Sequence, residues 1–164
     1  MSELIYLRPL RIEDAETSYK WRNDNKVWTY TGFVPTQTIT SQIEKEWLAR
    51  VLQNENQKRF GICIIDTDQY IGNVQLINIE NKSAEFELFI GEKDFWGKGI
   101  GFSATKKMLE IAFTELDLTS VYLHVHPDNI IAIRCYYRAG FVFSSQDKNI
   151  KMIATLATFS KSLA

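Results

Sequence analysis

The chain has 164 residues and a mass of 19.0 kDa, the size of one globular domain with little room for a second. Apolar residues at 45% and charged residues at 24% fit a soluble folded protein and exclude intrinsic disorder. Nineteen basic against twenty acidic residues give a net charge of −1, which argues against a protein whose main task is to hold nucleic acid, since that needs clustered Lys and Arg.

The two cysteines, Cys63 and Cys135, lie far apart among apolar neighbours, and with two His they form no zinc-ligand set by spacing. Both read as small buried residues of a reducing compartment, with no metal expected. Met1-Ser2-Glu3 carries acid where a signal peptide carries base, and no apolar run reaches the length of a membrane span, so the expected location is the cytoplasm.

Taken in chain order, Leu4 to Leu7 reads as a first strand closed by Arg8-Pro9, and Ile12 to Asn25 as a helix with Asp14 and Glu16 near its positive end. Val27 to Ile43 contains no charge but is rich in Thr, Gly and Pro, the composition of a loop that lines something; a helix follows from about Ser41 to Leu52. Phe60 to Ile65 and Tyr70 to Ile79 are strand-like runs joined by a hairpin turn at Asp66 to Gln69. A second turn, Asn81-Lys82-Ser83, leads into Ala84 to Ile90. That last run alternates, with Phe86, Leu88 and Ile90 on one face and Glu85, Glu87 and Phe89 on the other. The period turns helical from Phe102 to Leu116. Ser120 to Val125 is a strand, Asn129 to Ala139 a helix closed by Gly140, Phe141 to Phe143 opens a strand and Ile150 to Leu156 is the last one. A meander followed by alternating strands and helices predicts an α+β domain whose sheet mixes antiparallel and parallel pairs, spanning residues 1–164 as one unit.

The densest chemical signal is Phe95-Trp96-Gly97-Lys98-Gly99-Ile100-Gly101-Phe102-Ser103, between a strand and a helix. Three alternate glycines let the backbone turn tightly and bring N–H groups to a ligand, and a helix N-terminus there favours a phosphate or pyrophosphate. It is not a Walker loop, because five residues separate Gly91 from Gly97 and Gly99 follows Lys98, and its GxGxG spacing is not the dinucleotide fingerprint.

Trp96 to Gly101 resembles the Arg/Gln-x-x-Gly-x-Gly/Ala pyrophosphate loop of GNAT-type N-acetyltransferases. Downstream, Asn129-Ile130-Ile131-Ala132-Ile133-Arg134-Cys135-Tyr136-Tyr137-Arg138-Ala139-Gly140-Phe141 is similar to the Asn-x-x-Ala-x-x-x-Tyr-x-Lys/Arg-x-Gly-Phe segment of the same family. Tyr70-Ile71-Gly72-Asn73 and Ile90 to Gly97 further resemble the branch that includes ribosomal-protein and spermidine acetyltransferases. Two departures are Trp96, in place of Arg or Gln, and Phe102-Ser103, in place of a Thr-Glu pair.

The resemblance implies a GNAT-like single domain, with a sheet of about six to seven strands, splayed at its centre and flanked by about four helices. It implies acetyl-CoA as cosubstrate and a primary amine as acceptor, attacked directly on the thioester with no covalent enzyme intermediate. The N–H groups of Gly97, Gly99 and Gly101 would take the pyrophosphate, with Lys98, Ile100, Phe102, Ser103, Asn129, Ala132, Cys135 and Arg138 around the coenzyme. A backbone N–H near Phe89 or Ile90 would polarise the thioester carbonyl. Tyr136 aligns with the family's general acid, for which a packed aromatic is the alternative, and Tyr137 is its internal control. Arg134 and Arg138 either reach a coenzyme phosphate or form a solvated face.

Glu85 and Glu87 are the leading candidates for the base that frees the acceptor's lone pair, with His124 and His126 on the next strand as the other pair. Trp21, Arg22, Asn23, Trp28 and Phe33 are expected at the acceptor pocket, although Trp21 and Trp28 are equally suited to anchoring the loop. A non-catalytic acyl-CoA-binding module on the same fold and a nucleic-acid domain using residues 21–33 are the competing classes. The acceptor stays open among protein N-termini, polyamines, amino sugars and amino-bearing drugs, as does the oligomeric state, a homodimer included.

Overall fold

The computed structural model describes residues 3–164; Met1 and Ser2, part of the leader reading, lie outside them. The elements run β1 (Ile5–Pro9), a 3-10 turn (Ile12–Asp14), α1 (Ala15–Arg22), α2 (Ser41–Val51), β2 (Lys58–Ile64), β3 (Tyr70–Glu80), β4 (Ser83–Ile90), α3 (Ile100–Glu110), β5 (Ser120–Val125), α4 (Ile130–Ala139), β6 (Val142–Gln146), β7 (Ile150–Thr155) and α5 (Leu156–Ser162). The strands form one seven-stranded sheet in the order β1-β2-β3-β4-β5-β7-β6. Every neighbouring pair is antiparallel except β4 and β5.

Local chemistry explains the borders. Thr40 caps α2 by accepting the Ile43 N–H, and Asn129 caps α4 through the Ala132 N–H. Glu80 and Ser83 pair across a two-residue turn in which Asn81 (φ 50°) and Lys82 (φ 59°) are both left-handed, the geometry that matches strand twist in a tight hairpin.

The two faces of the sheet bury separate clusters. Ile62 belongs to the larger one, with Val74, Leu76, Phe86, Met108, Leu109 and Phe141, whereas its neighbour Cys63 belongs to the smaller, with Leu10, Trp21, Leu48 and Tyr70. Alternation along a strand requires this division. The same rule places Phe86, Leu88 and Ile90 against the α3 side and Phe89 against the α1–α2 side, as the alternation in the sequence predicts.

The structure departs from the sequence reading at several element borders, β1 running through Arg8-Pro9 and β2 starting at Lys58 among them, and in one added helix. A 3-10 turn precedes α1, which ends at Arg22 rather than Asn25. α3 begins at Ile100, two residues early, and its expected last turn widens into a π-helical turn (Ile111–Glu115) where the Leu116 N–H reaches back to the Ile111 carbonyl at 3.0 Å. β6 continues to Gln146. α5 is an additional, fifth helix, started by a reciprocal cap between Thr155 and Thr158 and docked through buried Phe159.

What positions the site is the parallel pair. β4 and β5 pair only through Ser83–Ser120, Ala84–Val121 and Glu85–Tyr122. Beyond it β4 stays with β3 and β5 with β7, so the strands part, with Phe86 to Ile90 on one side and Leu123 to Val125 on the other.

Candidate active site

A cleft of about 410 Å³ opens where the strands part, lined among others by Arg22, Trp28, Phe33, Glu85, Glu87, Phe89, His124 and Tyr136. The glycine loop and the start of α3 follow the end of β4. Gly99 caps α3 at φ 77°, a backbone conformation that side chains rarely adopt, and a Cβ there would project into open space. Among the described residues no side chain caps this helix, and Ser103 is the first residue to donate back, to the Gly99 carbonyl at 3.1 Å. The N–H groups of Ile100, Gly101 and Phe102 therefore precede the helical ladder, and with the helix dipole they present a site for an anion.

Around this loop each expected residue has a definite place. Trp96, 43% exposed, donates its indole N–H to the Ile90 carbonyl at 2.9 Å, which ties the loop to the end of β4. Lys98 lies over the Phe95 ring, and Gly97 is left-handed and open. The Ile100 side chain is buried in the core, so it anchors the loop. Phe102 carries the Arg138 guanidinium 4.2 Å from its ring centroid, which puts a cation at the helix start, while Arg134 is exposed. Ser103 is half-buried in the first turn. Cys135 sits behind Gly101, and burial pushes its thiol pKa up. Asn129 and Ala132 are joined in the cap of α4.

On β4, Ile90 pairs with Gly72 and Phe89 with Asn73. The Phe89 carbonyl and the Gly72 Cα approach so closely that a Cβ at Gly72 would overlap the oxygen. Phe89 packs on the Trp28 ring at 4.8 Å and on Trp21 at 5.9 Å.

Tyr136 and Tyr137 separate cleanly. Tyr136 turns inward, edge-on to Phe86 at 5.8 Å and Phe141 at 5.9 Å, and lines the cleft; Tyr137 is 67% exposed. Burial raises the Tyr136 phenol well above the usual tyrosine range, so it keeps its proton at neutral pH.

The two carboxylates and two imidazoles converge on the same cleft. Glu85 accepts from the Asn78 amide at 3.2 Å and lies 3.4 Å from His124 Nδ1; Glu87 accepts from Gln75 at 3.2 Å. His126 Nδ1 accepts the Asp128 N–H at 3.0 Å, and its ring faces Tyr30.

The five residues expected around the acceptor divide. Arg22, Trp28 and Phe33 line the cleft; Trp21 and Asn23 do not. Trp21 is 4% exposed, tilted against the Tyr70 ring at 4.8 Å, and its indole donates to Glu92 at 3.1 Å. Asn23 clamps the α1–α2 loop by donating to the Tyr19 and Ile39 carbonyls and accepting the Ile39 N–H. Trp28 donates to the Trp21 carbonyl at 2.8 Å and also walls the cleft. Arg22 is held by Glu44, its Nε 3.1 Å from the nearer carboxylate oxygen. Sequence reasoning missed Trp47, Arg59 and Gln75, which also line the cleft. Arg59 follows a polar stretch that reads as solvent-facing, and nothing local signals its place. Among the described residues no cluster of three His, Cys, Asp or Glu is placed to hold a metal, and no helix is long and apolar enough to cross a membrane.

Residues 5–142 match the family model described as an acetyltransferase (GNAT) domain. The chain is 26% identical over 163 residues to acetyltransferase PseH of Campylobacter jejuni, covering 99% of each protein. It is 29% identical over 144 residues to the spermidine N(1)-acetyltransferase of Vibrio cholerae, covering 87% of this chain and 81% of that one. The crystal structure of a spermidine N-acetyltransferase from Vibrio cholerae, in complex with CoA and spermine, superposes with a TM-score of 0.85 at 23% identity, covering 97% of this chain and 99% of that one.

Proposed function

The chain belongs to the GNAT acetyltransferase family, and on that premise we propose how its cleft transfers an acetyl group. The activity is acetyl-CoA-dependent N-acetylation. The observation that carries the placement of the reaction is the parting of β4 from β5 after Glu85 and Tyr122, between the glycine-capped start of α3 and the half-buried Tyr136.

The residues present fit the coenzyme. Gly99 leaves open space beside free helix-start N–H groups, and Arg138 adds a cation at Phe102, a donor set suited to a pyrophosphate. When bound, acetyl-CoA supplies the acetyl thioester as the electrophile. A backbone N–H at Phe89 or Ile90 holds the charge that develops on the carbonyl oxygen, a role that needs no particular side chain.

Tyr136 keeps the proton that the departing thiolate needs, because burial holds its phenol neutral. Glu85, in reach of His124, takes the proton from the acceptor amine; Glu87, one step along the same face, is the second carboxylate placed to do so. Trp28 and Phe33 wall the acceptor end, with Arg22 beside them; Trp21 and Asn23 shape the loop from behind.

Acetyl-CoA incubated with the protein and a panel of primary amines tests this directly, read as release of free thiol. Amine-dependent release, with acetylated product seen by mass spectrometry, is expected. Coenzyme binding without release from any amine would mark a module that binds and does not react.

A further inference from the structure

Acetyl transfer leaves unexplained a row of side chains at the far end of the cleft. Arg59 on β2 pairs with Gln75 on β3, and Gln75 pairs with Glu87 on β4, so the three stand side by side on the face that lines the cleft. Arg59 donates from Nε to Gln57 at 2.8 Å, and its guanidinium lies 5.0 Å from the Trp47 ring centroid. Among the described residues no carboxylate comes within ion-pair distance of it. Arg22 approaches the same indole at 4.5 Å, and Glu44 engages its Nε. The cleft thus holds two guanidinium groups on one aromatic plate, one of them without a counterion.

Two further features point to a missing ligand. Burial lowers the Arg59 pKa; the charge of Glu87 opposes this and that of Arg22 adds to it. A bound anion reverses that balance. Gln75, 5% exposed, gives its amide N–H to Glu87 and leaves Oε1 buried without a partner among the described residues. Such an acceptor is costly unless a donor arrives with the ligand.

We propose that the acceptor is an amine that also bears an anionic group, a carboxylate or a phosphate, and that Arg59 with Arg22 holds that anion while Glu85 and Glu87 face the amine. This rests on the acetyl-transfer reading and names the class of its second substrate. A guanidinium fork matches either oxyanion in shape and charge. An all-cationic acceptor is disfavoured for the opposite reason: a polyamine extended along the row sets an ammonium beside Arg59, and like charges in a half-buried cleft repel.

The test uses matched acceptors with acetyl-CoA: glucosamine 6-phosphate against glucosamine, 4-aminobutanoate against 4-aminobutanamide, and spermidine as the cationic comparator. The anionic member of at least one pair is expected to have a kcat/KM at least about tenfold above its partner lacking the anionic group and above spermidine, and which pair responds separates phosphate from carboxylate. Arg59→Gln should collapse that ratio toward one, while Arg59→Lys, keeping the charge and losing the fork, keeps part of it. Circular dichroism and acetyl-CoA affinity confirm that each variant is folded. Preference for spermidine, no preference within either pair, or a ratio unmoved by Arg59→Gln overturns the proposal and leaves acetyl transfer standing. Absence of thiol release from every amine contradicts acetyl transfer itself.

Discussion

The indole N–H of Trp96 donates to the carbonyl of Ile90 at 2.9 Å, across the loop that joins the open strand to the glycine turn. Trp96 stands where the family's loop opens with Arg or Gln, and here its polar group is spent on a tie inside the protein. Loop and strand end are thereby held in one geometry, which on the proposed placement would fix the coenzyme's phosphate end relative to its thioester. Trp96→Phe removes the hydrogen bond and keeps the ring. Acetyl-CoA should bind about fivefold more weakly, from the loss of about 1 kcal/mol, with kcat at saturation little changed. Calorimetry together with steady-state rates reads both.

Gly99 separates backbone strain from charge. At φ 77° an Ala side chain meets no neighbouring atom, so Gly99→Ala should cost only the left-handed penalty of about 1–2 kcal/mol in stability, with modest loss of acetyl-CoA affinity. Gly99→Asp adds a carboxylate at the start of α3, where the proposed pyrophosphate would sit, and coenzyme binding should vanish. Equal affinities for wild type and Gly99→Asp, measured calorimetrically, would remove the loop from the coenzyme site.

Asp14 holds the first crossing from β1 to α1. It is buried, accepts both Arg8 terminal nitrogens at 2.7 and 2.9 Å, and accepts the Arg11 N–H at 2.8 Å. Asp14→Ala leaves a half-buried guanidinium unpaired, and unfolding in denaturant should show a loss of about 3–5 kcal/mol. A loss below about 1 kcal/mol would place this pair among weakly coupled surface contacts.

Cys135 lies behind Gly101 at the glycine loop, yet burial raises its thiol pKa, with Thr105 and Arg138 only partly opposing this. The thiolate fraction at pH 8 is therefore smaller than in free cysteine, and alkylation by iodoacetamide should be slower and should speed up as pH rises. Faster alkylation than free cysteine would mean an activated thiol and would reopen a covalent step.

Where sequence order and spatial order coincide, the sequence was informative. Glu85, Phe86, Glu87, Leu88 and Phe89 alternate because the sheet has two different buried faces there, and the alternation alone assigned each side chain to its face. Tyr136 was singled out by the resemblance of its helix to the family's segment, and the structure turns it inward while it exposes Tyr137. The acceptor end was less legible, since it is assembled from α1, α2, β2 and β3. Trp21 and Asn23 have pocket-like chemistry but spend it on Glu92 and on the backbone of the α1–α2 loop. Arg59 sits in a stretch that looks solvated and enters the cleft only through its register with Gln75. α5 escaped notice because the last strand was read through to Leu156, across the Thr155–Thr158 cap that starts the helix.

The turnover of Tyr136→Phe at saturating acetyl-CoA and acceptor measures most directly whether Tyr136 faces the reaction, as proposed, while its neighbours build the wall. Loss of a positioned acid should lower kcat by about a hundredfold or more, with acetyl-CoA affinity and the unfolding midpoint nearly unchanged. Because burial raises the phenol pKa, the wild-type rate should also hold through neutral pH, with no loss from this group until well above the usual tyrosine range. A kcat for Tyr136→Phe within about twofold of wild type would contradict the account and leave Tyr136 as packing between Phe86 and Phe141.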